Sequence, residues 1–514
     1  MSVWIADAER SREIDRRSTA EFGVGQRELM ESAGGAVFDA LAEILPDGGR
    51  LLVACGKGNN GGDGFVAARL ALDHGYEVEC LVAAKPGELR GEADEQRVLA
   101  QRAGIPCVFH GDPHWTQRLR SLGEFDLVVD ALLGIGATGE VHGPVLEVIE
   151  AINESETPAI AVDVPSGIEC DTGAELGDAV WALRTVTFGL AKPFLFQSVG
   201  LEKCGYWSVA EVLFPPQLLA EPTDARLLDA TWVGERLPER LKGSHKGHNG
   251  AVLVVAGSTR MPGAAVLAAR AALRSGAGYV GVASIPAVCD AIAAHVPEAV
   301  LVPLPESGGA IAEAAAAALL TEERWDSLVI GPGLSQDGQV ASFLQALLPN
   351  WRTPLCVDGD ALNAIALGCP LPTSPFVLTP HPGEMARLLG SDIATVQADR
   401  FGAARSAAQR LGGTVVLKGA HSVISTSGRP LLVNRTGNSG MAAAGMGDVL
   451  SGVVGTLLAQ ELSPEDAAAC ASYWHGLAGD LCAAETGPIG FLAGEAADAL
   501  PKVRAKIVAA CDTD

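Results

Sequence analysis

The sequence predicts two α/β domains, each built on a mostly parallel sheet with helices on both faces. Three observations support this prediction. At 514 residues the chain is longer than one hydrophobic core usually supports. Apolar runs of strand length alternate with helix-length segments through both halves of the chain. The 61 glycines supply the tight turns that such an alternation needs between strand and helix.

Composition and charge narrow the class of protein. A formal net charge of −25 argues against a nucleic acid or an anionic membrane as partner. The 11 cysteines are scattered singly, which suits free thiols in a reducing cytoplasm. Residues 1–17 lack the apolar core of a signal peptide, and the longest uncharged run, 361–383, contains five prolines. We therefore predict a cytoplasmic protein with small-molecule substrates, and we expect a homo-oligomer.

The first half begins with helices and continues as an alternation. Residues 5–45 read as two helical segments, and the second, 29–45, has one apolar face. Strands are predicted at 50–55, 77–83, 125–130, 159–163 and 184–189, and helices between them at 65–74 and 92–103. This alternation predicts a Rossmann-like three-layer α/β/α domain, in which ligands bind at the carboxyl ends of the strands.

Two glycine-rich turns follow predicted strands of this domain. The first contains a formal GxGxxG pattern at 56–61, and the second repeats it at 134–139. A single match is explained equally well by a tight strand-to-helix turn. A nicotinamide dehydrogenase domain needs one such turn, so two of them favour a nucleotide held from two loops as a substrate.

Polar side chains stand at the same predicted sheet edge. Asn60, Asp130 and Ser166 offer hard oxygen ligands, which suit an alkali or alkaline-earth cation better than zinc. Asp163 adds a carboxylate for acid–base chemistry, and Lys192 adds a cationic group. The simpler alternatives are a Pro-Ser-Gly turn around Ser166 and a solvated surface lysine.

A break in the alternation predicts the domain boundary. Residues 215–231 contain three prolines and no clear strand, so we place the boundary near Thr223, between domains 1–223 and 224–514. A new series then begins with a strand at 251–256 and a helix at 266–275.

The second half ends its predicted strands in further polar turns, and the most informative is the glycine turn at 437–448. Its backbone N–H groups can hold an anion, and Asp448 falls where an apolar helix at 449–458 begins. A flexible Ala/Gly linker is the alternative. His381, between two prolines, is explained in isolation by a structural role.

Four motifs of the first half together resemble the epimerase domain of the NAD(P)H-hydrate repair enzymes, over residues 2–214. They are NNGGDG, DALLGIG, DVPSG and FGLAKP. The resemblance implies interconversion of the R and S epimers of hydrated NADH or NADPH, with K⁺ on Asn60, Asp130 and Ser166, and Asp163 and Lys192 as catalytic residues. The implied substrate contacts are Asn59, Asn60, Gly61, Gly62, Asp63, Gly134, Ile135, Gly136, Ala137, Thr138, Gly139, Glu140 and Asp163.

The second half resembles the ribokinase-like fold and, over residues 240–481, the dehydratase domain of the same enzymes. Seven motifs occur in the family's order: KGHNG, GSTRMPGAA, GPG, DGDALN, TPHPGEMARL, LKGAHS and GNSGMAAAGMGDVLSG. The resemblance implies dehydration of the S epimer to NADH or NADPH, with ADP in bacterial members and ATP in animal and fungal ones. ADP use would release AMP and phosphate, with Mg²⁺ on the phosphates and Asp448 as the catalytic carboxylate.

The same resemblance implies two sets of contacts in the second half. The implied substrate contacts are Ala264, Ala265, Gly333, His381, Pro382, Gly383, Glu384, Arg387 and Asp448. The implied nucleotide contacts are Lys418, Gly419, Ala420, His421, Ser422, Asn438, Gly445, Met446 and Gly447. One position departs from the family's Gly-Gly-x-Gly-Asp turn, because Ala444 replaces the first glycine. If that position has a positive φ, alanine there is strained.

Three other functions stay open from the sequence. A ribokinase-like vitamin or sugar kinase with an appended Rossmann-like binding domain would accumulate a phosphorylated product. A nicotinamide dehydrogenase would transfer hydride to a second substrate. A non-catalytic first domain would serve as a binding or scaffold module.

Overall fold

The computed structural model describes residues 3–511, and the chain divides into two compact units. The first unit ends at Ala225 and the second begins at Arg226, two residues beyond Thr223, where the sequence analysis places the boundary. None of the described helices is both long and apolar enough to cross a membrane.

The first unit is an α/β domain with eight strands and eight helices among its described residues. The strands are β1 (Trp4–Ile5), β2 (Arg50–Cys55), β3 (Glu77–Val82), β4 (Cys107–Phe109), β5 (Leu127–Ala131), β6 (Ala159–Val162), β7 (Arg184–Phe188) and β8 (Tyr206–Ala210). The helices are α1 (Ala8–Phe22), α2 (Gln26–Ile44), α3 (Asn59–Asp73), α4 (Gly91–Arg102), α5 (Trp115–Arg120), α6 (Pro144–Ser155), α7 (Gly200–Lys203) and α8 (Pro216–Ala220).

Seven of these strands form one parallel sheet in the order β4-β3-β2-β5-β6-β7-β8. Its central strands β2, β5 and β6 are mostly apolar and buried, because one core lies between the sheet and α2, α3 and α4, and a second lies under α5 and α6. The predicted three-layer architecture is confirmed. The chain order reverses between β2 and β5, and ligands of such sheets bind at that reversal.

Three sequence predictions about this unit are wrong in detail. Helix α3 starts at Asn59, not at residue 65, so residues 59–64 form helix turns and not a loop. The short strands β4 and β8 at the sheet edges were not predicted. The segment 215–231 does contain regular structure. It includes α8, the start of a further helix, and a strand at the unit boundary, which we call β9 (Ala225–Leu227).

The second unit is built on a longer sheet. Its strands after β9 are β10 (Ala251–Val255), β11 (Tyr279–Ser284), β12 (Val300–Pro303), β13 (Glu306–Ser307), β14 (Ala310–Ile311), β15 (Ser327–Ile330), β16 (Leu355–Val357), β17 (Phe376–Leu378), β18 (Thr414–Leu417), β19 (Val423–Ser425) and β20 (Leu431–Val433). The main sheet has the order β20-β19-β18-β17-β16-β15-β10-β11-β12, and β13 and β14 form a separate hairpin. Pairing is parallel from β12 to β18 and antiparallel from β18 to β20.

Twelve helices accompany this sheet in the described part of the unit. They are α9 (Ala230–Gly234), α10 (Pro262–Arg274), α11 (Pro286–His295), α12 (Ala315–Leu319), α13 (Gly338–Leu347), α14 (Asp360–Ala366), α15 (Pro382–Leu389), α16 (Ile393–Ala398), α17 (Arg400–Leu411), α18 (Met446–Ala459), α19 (Pro464–Thr486) and α20 (Ala493–Cys511).

Helix α18 is the buried centre of the second unit. Glycines let it approach its neighbours closely: a Cβ on Gly455 would lie 2.2 Å from Val329 Cγ2 in β15, and one on Gly452 would lie 2.3 Å from the Ala268 carbonyl oxygen in α10. These two glycines let α18 pack closely against the sheet and against α10. The first turn of α18, with Asp448, is therefore held at the carboxyl ends of the strands.

Two candidate active sites

A cavity of about 1320 Å³ opens at the carboxyl ends of the strands in the first unit. Helices α1 and α2 form part of its wall, and the loops after β2 and β5 form another part. It collects most of the predicted epimerase residues, namely Asn59, Asn60, Asp63, Gly134, Ile135, Gly136, Ala137, Thr138, Gly139, Glu140, Asp163 and Lys192. The cavity thus lies where the chain order of the sheet reverses.

The glycines of the first GxGxxG pattern serve close packing between loops. A Cβ on Gly56 would lie 1.9 Å from the Leu132 carbonyl oxygen, and one on Gly61 would lie 2.1 Å from the Gly56 carbonyl oxygen. Gly61 and Gly62 are buried below the cavity wall. These glycines let the loops after β2 and β5 meet, so any ligand contact by Gly61 or Gly62 would be through the backbone.

Asp163 and Lys192 form a buried ion pair at the ends of β6 and β7. Lys192 Nζ donates to Asp163 Oδ1 at 2.7 Å and to the Phe188 carbonyl oxygen at 2.9 Å. Thr187 Oγ1 donates to the same carboxylate oxygen at 2.7 Å. Asp163 has a φ of 63°, a left-handed conformation that few non-glycine residues adopt. Such strain is common at functional sites, and here it turns the carboxylate toward the lysine and the cavity.

Two further carboxyl groups line the same cavity. The Asp15 side chain is exposed in the open cavity, but the surrounding walls desolvate its carboxyl group and raise its pKa to about 6, with the Asp163 carboxylate adding to the rise and Lys192 opposing it. Burial, together with Asp163 and Asp15, raises the pKa of Asp63 well above its ordinary value. Within residues 3–511, neither carboxyl group forms an ion pair or a hydrogen bond. The cavity thus favours the protonated form of both carboxyl groups more than bulk water does.

The predicted cation ligands lie together below the cavity. Ser166 donates through Oγ to Asp130 Oδ1 at 2.6 Å and through its backbone N–H to Oδ2 at 2.8 Å. Asn60 Nδ2 donates to the Leu133 carbonyl oxygen at 2.9 Å, which leaves the Asn60 amide oxygen available. Burial raises the pKa of Asp130 to about 6, although the bonds from Ser166 oppose the rise. No Lys or Arg of the described chain forms an ion pair with this fully buried carboxyl group, so a bound cation would supply the missing charge.

The second unit gathers its charged residues around Lys418, at the end of β18. Lys418 Nζ donates to Asp358 Oδ1 at 2.8 Å and lies 3.9 Å from Glu384 Oε2. Thr379 Oγ1 donates to Asp358 Oδ1, also at 2.8 Å. Burial disfavours the Lys418 ammonium, but the two carboxylates outweigh burial and raise the pKa of Lys418. Burial raises the pKa of Glu384 to about 7.

The glycine turn before α18 lies directly against this cluster. A Cβ on Gly447 would lie 3.2 Å from Lys418 Nζ and 3.6 Å from Asp358 Oδ2. Asp448 follows in the first turn of α18, and burial raises its pKa to about 7, with the Asp358 carboxylate adding to the rise. The free N–H groups at the start of α18 and the Lys418 ammonium can bind an anion, and the Asp448 carboxyl group lies next to them.

The alanine in this turn is not strained. Gly445 takes the left-handed conformation, with φ of 92°, whereas Ala444 is absent from the described non-glycine residues with positive φ and is exposed. A Cβ on Gly445 would in addition lie 2.5 Å from Leu267 Cδ1. The position that requires glycine is therefore 445, and the departure at 444 leaves the turn intact.

A half-buried carboxylate on α19, that of Asp480, fixes the other end of the glycine turn. Asp480 accepts hydrogen bonds from the Gly437 N–H and from Asn438 Nδ2, both at 2.9 Å. The Asn438 side-chain oxygen in turn accepts from the Gly440 N–H at 3.0 Å. Because both its side-chain nitrogen and its side-chain oxygen form hydrogen bonds within the protein, Asn438 stabilises the conformation of this loop.

The other predicted contacts of this unit surround the same cluster. His381 caps α15: its Nδ1 accepts from the Gly383 N–H at 3.0 Å, while Glu384 Oε2 accepts from the His381 N–H at 2.8 Å. Nδ1 of His381 therefore has a structural role as a helix cap, whereas about half of the side chain remains exposed. Gly333 lies beside Ala264, whose Cβ would be 2.9 Å from a Cβ at 333, and the Ala265 side chain is fully buried.

Most of the remaining predicted contacts of the second unit are exposed or half-buried, and Met446 is buried. Arg387, which is exposed, donates from Nε to Asn363 Oδ1 at 2.9 Å. In the loop after β18, Gly419 has a φ of 143° and His421 a φ of 52°. Gly419 lies against Arg400, whose guanidinium nitrogens would be 2.9 Å from a Cβ there. The other predicted contacts, for which the hydrogen bonds single out no further role, are Pro382, Ala420, Ser422 and Met446.

Sequence reasoning missed four residues that organise these sites, namely Asp15, Asp358, Thr379 and Asp480. Asp358 had a visible signal, because Asp-Gly-Asp follows a predicted strand. Thr379 likewise follows an apolar run and opens the motif TPHPGEMARL. Asp15 and Asp480 had no such signal, because Asp15 lies in a charged helical segment and Asp480 lies in the middle of a helix. The described residues contain no group of three His, Cys, Asp or Glu side chains that could hold a metal ion.

Comparison with known proteins assigns both units. A family described as "YjeF-related protein N-terminus" matches residues 26–194, and one described as "NAD(P)H-hydrate dehydratase" matches residues 252–502. A ribokinase-like superfamily protein from Enterococcus faecalis is similar in structure, with a TM-score of 0.50, 29% identity and coverage of 56% of this chain and 98% of its own.

Two curated relatives match nearly the whole chain, and both are named bifunctional NAD(P)H-hydrate repair enzyme Nnr. The protein from Moorella thermoacetica is 40% identical over 98% of this chain and 96% of its own length. The Escherichia coli protein is 36% identical over 98% of this chain and 94% of its own. The chain therefore belongs to the family of bifunctional NAD(P)H-hydrate repair enzymes.

Proposed function

We propose that the first unit epimerises hydrated NADH or NADPH in the cavity around Asp163 and that the second unit dehydrates the S epimer beside Asp448, using ADP. The observation that supports this division best is that each unit has its own polar site at the carboxyl ends of its own parallel sheet. The two sites contain different chemical groups, as two different reactions require.

In the first unit, Asp163 is the proposed proton-transfer carboxylate. Its three hydrogen bonds, one of them from the Lys192 side chain, fix the orientation of the carboxyl group. The exposed loops at 134–140 and 57–60 would hold the dinucleotide phosphates and ribose through backbone groups. Lys192 orients Asp163 and is itself covered, so it acts through that carboxylate.

Potassium fits the oxygen set of Asn60, Asp130 and Ser166. All three offer hard oxygen atoms, and Asp130 is fully buried without an ion-pair partner in the described chain. A bound K⁺ would neutralise Asp130 and fix the loops after β5 and β6 that line the cavity. The reacting groups of the substrate would then meet preformed walls.

In the second unit, we assign the proton acceptor to Asp448. Hydroxide is a poor leaving group, so the hydrate hydroxyl would first take the terminal phosphoryl group of ADP, with loss of its proton to Asp448 and release of AMP. Loss of that phosphate and of a ring proton then restores the double bond of NADH or NADPH. Lys418 and the N–H groups around Gly447 would stabilise the charge on the transferring phosphoryl group.

Magnesium would be held chiefly by the nucleotide phosphates, where it neutralises charge during transfer. Asp358 and Asp360, which follow β16, are the carboxylates that act electrostatically on Asp448. The cytoplasmic location and the homo-oligomeric state stay predictions.

The assignment is tested with the purified chain and a defined mixture of R and S hydrates. Wild type with ADP is expected to convert the whole mixture, whereas Asp448→Asn is expected to lose dehydration and keep epimerisation. With Asp163→Asn, conversion to NADH or NADPH is expected to stop once the S epimer is consumed, because the R epimer is no longer converted to S. Accumulation of a stable phosphorylated hydrate, with no NADH formed, would instead support a kinase.

A further inference from the structure

The epimerase cavity contains an acidic side chain on α1 that no feature of the sequence singles out. Asp15 lines the cavity together with Asp63, Asp163 and Lys192. It comes from the N-terminal helix, whereas Asp163 follows β6, so the two carboxyl groups occupy different walls. Within the described residues, Asp15 has neither a hydrogen bond nor an ion pair, so its carboxyl group is available to a ligand.

Epimerisation of a hydrate needs two proton-transfer groups. Water adds to a dihydronicotinamide at the carbon beside the ring nitrogen, because the nitrogen lone pair stabilises positive charge there. Inverting that carbon by exchange requires the C–O bond to break, with a proton delivered to the departing hydroxyl. A new water then attacks from the other face and must lose a proton. Asp163 alone can serve only one of these events at a time.

We propose that Asp15 is the second proton-transfer residue of the epimerase and works opposite Asp163, an inference that rests on the proposed epimerase function. In the forward direction Asp15 gives its proton to the hydroxyl, which leaves as water, and the ring nitrogen lone pair forms the C=N bond. A second water adds to that carbon as Asp163 takes its proton. The product differs from the substrate only in configuration, and the return of one proton through solvent completes the cycle.

The electrostatic surroundings suit this division of roles. Asp163 accepts hydrogen bonds from Lys192 and Thr187, while Asp15 has no such donor and its pKa of about 6 lets it give or take a proton near neutrality. The charged groups that line the cavity with them are Arg12, Arg16, Lys57, Asp63, Lys85, Glu88, Glu92, His110, Glu140, His142 and Lys192. Of these, Lys192 lowers the pKa of Asp15, and Asp163 raises it.

The test uses the full chain, because the second unit reports on folding. We expect Asp15→Asn to lower the epimerase kcat at least 100-fold, while the rate of S-hydrate dehydration stays within twofold of wild type. Glu9→Gln, which removes a carboxylate from the same helix outside the cavity, is the matched control and is expected to behave as wild type. Asp15→Glu is expected to recover part of the lost rate.

Two readouts separate proton transfer from a structural role. In wild type, kcat/KM for the R hydrate is expected to fall as pH rises through about 6, because Asp15 must carry a proton. In Asp15→Asn this decrease of kcat/KM with pH is expected to disappear. Wild type is also expected to incorporate ¹⁸O from labelled water during epimerisation. If Asp15→Asn has the wild-type kcat, or keeps the decrease of kcat/KM with pH, the proposed role of Asp15 is wrong. A wild-type chain that never epimerises overturns the proposed function itself.

Discussion

The buried pair of Asp163 and Lys192 gives the sharpest prediction on the first unit. Lys192→Met keeps the length of the side chain and removes its charge. The Lys192 side chain is only 3% exposed and that of Asp163 12%, so the change leaves a largely desolvated carboxylate with two donors in place of three. Breaking a buried pair from one side costs about 3–5 kcal/mol, and we expect the lower end, about 3 kcal/mol, because Asp163 still borders the cavity.

The assay is urea unfolding followed by hydrogen exchange of peptides from residues 50–210, which reports on the first unit. Asp163→Asn is the partner variant, because asparagine tolerates the left-handed conformation that Asp163 adopts. The double variant is expected to be about 2 kcal/mol more stable than the sum of the single effects predicts. Both single variants are expected to lose epimerisation and keep dehydration.

Additive effects would contradict this reasoning. If the coupling free energy between the two positions is below about 0.5 kcal/mol, the pair is not a desolvated ion pair in solution. If Lys192→Met also epimerises at the wild-type rate, Lys192 does not orient the carboxylate. Lys203→Met, which removes a lysine that is equally covered but remote from the cavity, is the matched control for loss of a buried ammonium.

Three further predictions concern the turn, the pH dependence and the cation. Ala444→Gly is expected to leave the dehydration rate within twofold of wild type, whereas Gly445→Ala is expected to lower it more than tenfold, because a Cβ there meets both a positive φ and Leu267. The dehydratase kcat/KM is expected to rise as pH increases through about 7, since the proton acceptor Asp448 must be ionised; a profile unchanged by Asp448→Asn would contradict the assignment. K⁺, but not tetramethylammonium, is expected to raise the unfolding temperature of wild type, and equal shifts in Asp130→Asn would exclude this site.

Much of the fold could be predicted from the sequence. The strands β2, β3, β5, β6 and β7 lie inside the sheet and most of their residues are buried, so each contains a short apolar or β-branched run that marks its position. The edge strands β4 and β8 were missed because half-exposed strands of three to five residues carry no such signal. The early start of α3 was missed because glycines disguise the first turns of a helix that packs closely on neighbouring loops.

The sites were predictable to the extent that they follow strands. Asp163, Lys192, Lys418 and Asp448 each stand next to a recognisable strand or helix end, and the structure brings the first two and the last two into the same sites. Asp15 could not be predicted, because it faces the cavity from a helix rich in charged residues. The hidden contribution of Asp480 has the same cause, since a contact between distant helix and loop residues leaves no local pattern.

Family membership confirms the predicted repair function, and the remaining question is whether two separate carboxylates, Asp163 and Asp448, carry its two reactions. The most direct measurement follows the absorbance of the NADH that is regenerated from an R/S hydrate mixture with ADP. We expect full recovery for wild type, recovery of the S fraction only for Asp163→Asn, and none for Asp448→Asn. Recovery of the R fraction by Asp163→Asn, or of any fraction by Asp448→Asn, would contradict this expectation.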